Sequence, residues 1–173
     1  MIPNDPGTWT VRRADTGEGE ILRAIAAAAK GYWGYDRERV AEWAAKLDLA
    51  PATLREHEHY VAEAAGGPVA FMGLHEGRPV SVLDHLWVMP GWIGHEIGRD
   101  LFALAVSRAT ALGASWLEWE ADPNAVGFYE RMGGRYLRPS PQTEWGRTLP
   151  IMGLRLPSAT SGAGAEEPPI GPS

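Results

Sequence analysis

Apolar residues recur at helical spacing in the first third of the chain. Ile21, Leu22, Ile25 and Ala29 predict an amphipathic helix over 17–31. "YWGY" (32–35) then reads as an aromatic loop around Gly34. Asp36 is placed to N-cap a second helix that carries Val40, Trp43, Ala44 and Leu47 on one face, with Pro51 beyond its end. A weak alternation over "TWTVRRA" (8–14) predicts a leading strand. Two short strands around Gly66-Gly67 predict a hairpin over 59–75, and "PVSVLDHLWVM" (79–89) a long strand. Residues 99–112 place Leu101, Leu104, Ala105, Ala109 and Leu112 inward on a helix that Gly113 stops. "SWLEWEA" (115–121) returns to strand, "NAVGFYERM" (124–132) to a short helix, and "RYLRP" and "RTLPIMGLRL" (147–156) close with strands.

Strand, helix and strand between 82 and 121 imply one parallel pair joined by a crossover helix. The hairpin implies antiparallel pairing elsewhere, so the fold class is α/β with a mixed sheet. One domain is expected over 8–156, with a loose N-terminus at 1–7. Residues 157–173 hold four prolines and no aromatic, and are expected to be a disordered tail.

Composition narrows the function. The 173 residues are 45% apolar and carry a net charge of −6 with no basic block, which argues against nucleic-acid binding. The chain has no cysteine, so disulfides and thiolate chemistry are excluded. No signal peptide is evident, and no apolar run reaches the ~18 residues of a membrane span. The nearest, "LFALAVSRATALGASWL", is interrupted by Arg108. A cytoplasmic protein without membrane partners is the expectation. His57 and His59 in "HEH" lack a convincing third ligand, and no metal site is expected. The eight tryptophans are expected in the core or in pocket walls.

The stretch "MPGWIGHEIGRDL" (89–101) carries the first candidate chemistry. A strand ends at Pro90, Gly91, Gly94 and Gly98 punctuate a turn, and a helix begins. A helix N-terminus offers unpaired N–H groups and partial positive charge, and glycines let backbone approach a phosphate. Arg99 is placed to reach such a phosphate. On spacing alone the same glycines also fit a purely structural loop.

The segment "LWVMPGWIGHEIGRDLF" resembles motif A of the GCN5-related N-acetyltransferases (GNAT superfamily). There a strand leads to an Arg/Gln-x-x-Gly-x-Gly/Ala turn whose amides hold the pyrophosphate of acetyl-coenzyme A. "ADPNAVGFYERMGGRY" resembles motif B, "GRTLPIMGLRL" the last strand of one bacterial small-molecule branch, and "GYWGYDRERV" an aromatic loop between its first two helices. The resemblance covers about residues 8 to 156. It implies a GNAT fold: a central, mostly antiparallel sheet with one parallel pair, flanked by about four helices. It departs from the pattern at Ile93, in the Arg/Gln position, and at Glu96, in the middle glycine position. A Glu96 side chain aimed at the pyrophosphate would repel it. One aimed at solvent would leave the backbone N–H in use.

The resemblance implies that Ile93, Gly94, His95, Glu96, Ile97, Gly98 and Arg99 bind the cofactor, that the backbone of Val88 and Met89 bonds the pantetheine arm, and that Asn124 assists. Tyr129, beside Phe128, matches the tyrosine that donates to the leaving sulfur. Asp84 is a candidate base. Even spacing puts it on one face with Val88, ~13 Å away along the strand, and burial beside an apolar pocket would raise its pKa. His85 points to the other face and substitutes if the pleat is shifted. Trp33, Tyr35 and Trp92 are candidate walls for an apolar or cationic acceptor.

The expected function is acetyl-CoA-dependent N-acylation of a small-molecule amine by direct transfer. Glu96 motivates two alternatives on the same fold: a lyase, cyclase or isomerase using Asp84 or His85 as base, and a non-catalytic binding protein. A homodimer is compatible with the family, although no stretch of sequence fixes an interface.

Overall fold

The computed structural model describes residues 7–64 and 66–158. The rest of the expected loose N-terminus and of the expected tail lies outside the described residues. In chain order the elements are β1 (Thr10–Arg13), α1 (Gly19–Gly31), α2 (Arg37–Ala45), α3 (Pro51–Glu56), β2 (Glu58–Ala64), β3 (Gly67–His75), β4 (Val80–Val88), α4 (Ile97–Ala111), β5 (Trp116–Glu120), α5 (Val126–Arg131), β6 (Arg135–Pro139) and β7 (Pro150–Arg155). Five α-helices stand among the described residues where about four were expected. The additional one is α3. Pro51 starts it at the first helical position, where a fixed φ and a missing N–H cost nothing.

Local signals explain most boundaries. Asp36 caps α2 by accepting from the Arg39 N–H at 3.0 Å. Gly113, at φ +86°, ends α4 as expected. On α1, Leu22, Ile25 and Ala29 are buried, but Ile21 lies on the open flank of the apolar stripe and is exposed.

The strands form one sheet in the order β1-β2-β3-β4-β5-β7-β6. Every pairing is antiparallel except β4 with β5. Helix α4 joins that parallel pair. The sheet buries both faces. Ile97, Leu101, Phe102, Ala105 and Ala109 of α4 pack on one, with Met72, Leu117, Trp119 and Met152. Leu22, Ile25 and Ala26 of α1 pack on the other, with Val61 and Phe71.

A bulge in β4 corrects the expected pleat. Gly73 pairs with His85 and Leu74 with Leu83, so Asp84 has no partner across the strand. Leu83, Leu86 and Val88 all join the α4-side core, while Trp87 packs on the α1 side. The extra residue turns Asp84 to the side of His85, away from the face that holds Val88. Even spacing failed because the bulge inserts one residue into the alternation.

Candidate functional site

The parallel pair is short. Val80, Ser81 and Val82 pair with Trp116, Leu117 and Glu118, and pairing stops there. The strands then part, and a cavity of about 780 Å³ occupies the gap. Its β4 wall carries free backbone. The Met89 N–H donates to the Val69 carbonyl at 2.8 Å, which makes Val69 and Met89 a hydrogen-bonded pair. The flanking pairs Ala70–Val88 and Met72–Leu86 are therefore the wide kind. The N–H and C=O groups of Leu86 and Val88 point away from β3, into the gap. The expected role of Met89 is thus corrected, because its N–H is spent on β3. Leu86, with Val88, is the residue of this edge whose backbone groups β3 leaves free.

The glycine turn closes one end of the cavity. Gly94 has φ +85° and Glu96 φ +65°. Glu96 is the N-cap residue of α4, and the first helical bond runs from the Asp100 N–H to the Glu96 carbonyl at 3.0 Å. The N–H groups of Ile97, Gly98 and Arg99 therefore have no acceptor within the helix. The Glu96 side chain is 67% exposed and accepts from Arg99 Nη1 at 3.0 Å. Its charge is paired at the surface, and its left-handed backbone does the work of the expected glycine.

Tyr129 sits in the cavity wall on α5, its ring held by Phe102, Trp119 and Phe128 at centroid distances of 5.0 to 5.8 Å. Burial, reinforced by the charge of Asp122, pushes its phenol above the ordinary tyrosine range. The hydroxyl stays protonated and is a donor at neutral pH.

Asp84 lies in the same wall with its side chain 45% exposed. Its Oδ2 is 3.2 Å from His85 Nε2 and 3.5 Å from His75 Nε2. The expected upward shift of Asp84 is overturned. His85, with His75 and His59 behind it, outweighs burial and holds the carboxyl below its usual range. Asp84 is ionised and a weaker base than burial alone would make it.

Beside Asp122 of the cavity wall lies a feature that the sequence did not disclose. The Lys30 ammonium, 7% exposed, sits among the rings of Trp43, Trp145, Tyr35 and Trp87 at 4.6, 5.0, 5.1 and 5.8 Å. Asp122 Oδ2 lies 3.6 Å from it. Burial lowers the Lys30 pKa, and Asp122 opposes the shift. Burial also opposes ionisation of Asp122, but bonds from the Asn124 N–H, Tyr35 and the Asn124 side chain, with the charge of Lys30, hold it below the usual range. Arg147 donates to the Tyr35 hydroxyl at 3.1 Å. Five separate stretches of chain thus close into one knot. The only trace in the sequence was the surplus of tryptophan.

Of the remaining expected residues, Trp33, Trp92, Val88, Ile93, Ile97, Gly98, Arg99 and Asn124 line the cavity. His85 does not, and stands behind Asp84. Tyr35 does not either, and its hydroxyl bonds Asp122 at 2.9 Å instead. His95 is exposed and packs on Trp92 at 5.4 Å. Among the described residues no cluster of three or more donors is arranged to hold a metal ion, and no helix is long and apolar enough to cross a membrane.

The sequence model of the Acetyltransferase (GNAT) family matches residues 21–134. The fold is similar to a GCN5-related N-acetyltransferase from Rhodopseudomonas palustris at 25% identity and a TM-score of 0.72, covering 90% of this chain and 99% of that one. It is similar to the PaiA N-acetyltransferase of Thermoplasma acidophilum, solved with coenzyme A, at 18% identity and a TM-score of 0.71, covering 86% and 99%. It is also similar to YncA of Salmonella typhimurium, a putative acetyltransferase solved with acetyl-CoA, at 18% identity and a TM-score of 0.63, covering 90% and 98%. No curated protein matches the chain at significant similarity.

Proposed function

The chain belongs to the acetyltransferase (GNAT) family, and from that premise we propose that it is an acetyl-CoA-dependent N-acetyltransferase acting on a small-molecule amine by direct transfer. The observation that carries this reading is the gap between β4 and β5. Free Leu86 and Val88 backbone lines one wall of it, the N-terminus of α4 closes one end, and Tyr129 faces into it. A peptide-like pantetheine arm suits the β4 edge, and a pyrophosphate suits the amides of Ile97, Gly98 and Arg99. The co-substrate supplies an acetyl group activated as a thioester. Asp84, ionised at the cavity wall, accepts the proton that the attacking amine gives up as the N–C bond forms. Tyr129 donates its phenolic proton to the sulfur as the C–S bond breaks. Trp33 and Trp87 give the acceptor apolar walls.

The outward turn of Glu96 favours this reading over donor-independent chemistry, since water and Arg99 screen most of the repulsion that motivated the alternative. The test is calorimetric titration of coenzyme A, followed by release of free thiol from acetyl-CoA across a panel of primary amines. Micromolar binding and amine-dependent thiol release are expected. Tyr129→Phe should lower kcat by about a hundredfold and leave the dissociation constant of coenzyme A unchanged. A protein that binds no coenzyme A overturns the proposal.

A further inference from the structure

Four of the five histidines gather behind the cavity wall. His57, just before β2, stacks on His75 of β3 at 4.1 Å. His59 of β2 lies 6.1 Å from His85 of β4. Gly73 makes room for them, since a Cβ there would stand 2.8 Å from His59 Nε2 and 3.0 Å from His85 Cδ2. Each of the four rings buries one nitrogen: His57 Nδ1 and His59 Nε2 find no hydrogen-bond partner among the described residues, while His75 Nε2 and His85 Nε2 both turn to Asp84. Rings so placed, and not arranged as metal ligands, are suited to carrying protons.

The bulge selects the partner of Asp84. The Trp87 indole N–H donates to His85 Nδ1 at 3.4 Å, so neutral His85 carries its proton on Nε2, facing Asp84. His85 holds the carboxylate and has no free nitrogen with which to take a proton from it. His75 has one. Its Nε2 lies 3.5 Å from the same oxygen, is the buried nitrogen of the ring, and leaves the 39% exposure of the side chain to the opposite edge.

We propose that His75 is the proton exit of the active site, passing to solvent the proton that Asp84 takes from the acceptor amine. This rests on the acyl-transfer reading. The balance is simple. The amine proton moves to Asp84 Oδ2, then to His75 Nε2, and the imidazolium releases its Nδ1 proton to water. Reorientation of the ring returns it to its starting tautomer. The groups that face His75 keep it neutral between turnovers. Burial lowers its pKa, Asp84 opposes, the stacked His57 and His85 reinforce the fall, and Asp48, in the α2–α3 connection, opposes. A neutral ring passes a proton on and does not store it. His75 is a relay residue and touches no reacting atom.

The first test needs no acceptor. Ring-carbon NMR titration of the full chain follows the His75 midpoint in wild type and in Asp84→Asn. Removing the carboxylate should lower that midpoint by about half a pH unit or more. The second test is kinetic, with acetyl-CoA and the best primary amine of the panel. His75→Ala should lower kcat about tenfold in dilute buffer with KM unchanged, and added imidazole should restore it. A structural defect would not be rescued by a free proton carrier. Acetyl transfer with a His75 midpoint that ignores Asp84, or a His75→Ala loss that imidazole leaves in place, overturns the relay alone. Coupled titration with no acetyl transfer to any amine overturns the acyl-transfer reading, and the relay with it.

Discussion

Removing the charge of Glu96 should tighten coenzyme A binding, and the backbone of that residue allows charge and strain to be separated. Glu96 holds φ +65° at the N-cap of α4, where an L side chain costs ~1–2 kcal/mol. Its carboxylate is 67% exposed and paired with Arg99, so water screens most of its field. At ~6 Å in a water-like dielectric, one charge acting on another is worth ~0.7 kcal/mol, and against roughly two pyrophosphate charges ~1.4 kcal/mol. Glu96→Ala and Glu96→Gly should each lower the dissociation constant of coenzyme A by about five- to tenfold in dilute buffer. The gain should shrink near physiological ionic strength, where the Debye length is ~8 Å. Stability should divide the two variants. Glycine relieves the left-handed strain but loosens the unfolded chain by ~0.4–1 kcal/mol, and either change loses an exposed ion pair worth at most ~1 kcal/mol. Glu96→Gly should end between no change and about 1 kcal/mol more stable, and Glu96→Ala slightly less stable than wild type. Calorimetry at two salt concentrations and urea unfolding read both quantities. Unchanged or weaker binding by both variants in dilute buffer would mean that the Glu96 charge does not act on the bound cofactor.

Other perturbations follow from the same geometry. Lys30→Met leaves Asp122 buried without its ammonium and empties the aromatic cage, so urea unfolding followed by tryptophan fluorescence should show a loss of ~2–4 kcal/mol. Burial lowers the His59 pKa to about 4. Below pH 6.5 the unfolded chain therefore binds a proton that the folded chain refuses. Stability is full above that pH, falls as pH drops toward 4, and levels off below. His59→Leu should remove about 3 kcal/mol of that fall in a pH series of unfolding curves, and an unchanged pH dependence would refute the assignment. Gly73→Ala drives a methyl against the buried His59 ring and should cost ~1–3 kcal/mol by thermal or urea unfolding.

Every helix but α3, the hairpin and the parallel pair were legible in the sequence because their causes are local. Apolar spacing along α1 and α4, the Asp36 cap and the Gly113 stop each act within a few residues. The Gly94–Gly98 turn and the Phe128–Tyr129 pair were legible for the same reason, and both stand at the cavity. The face of Asp84 was not legible. It depends on a bulge defined by where Gly73 and Leu74 meet the partner strand, and a slip of one residue reverses every side chain beyond it. The direction of the Asp84 pKa shift followed from that slip, since it is the bulge that sets the carboxylate against His85 and His75. Only the tertiary structure could close Lys30, Tyr35, Asp122 and Arg147 into one knot, because those contacts join segments up to 112 residues apart. Local periodicity determined which elements form. Cross-strand register and loop closure decided which side chains meet, because those terms couple residues that no short window contains together.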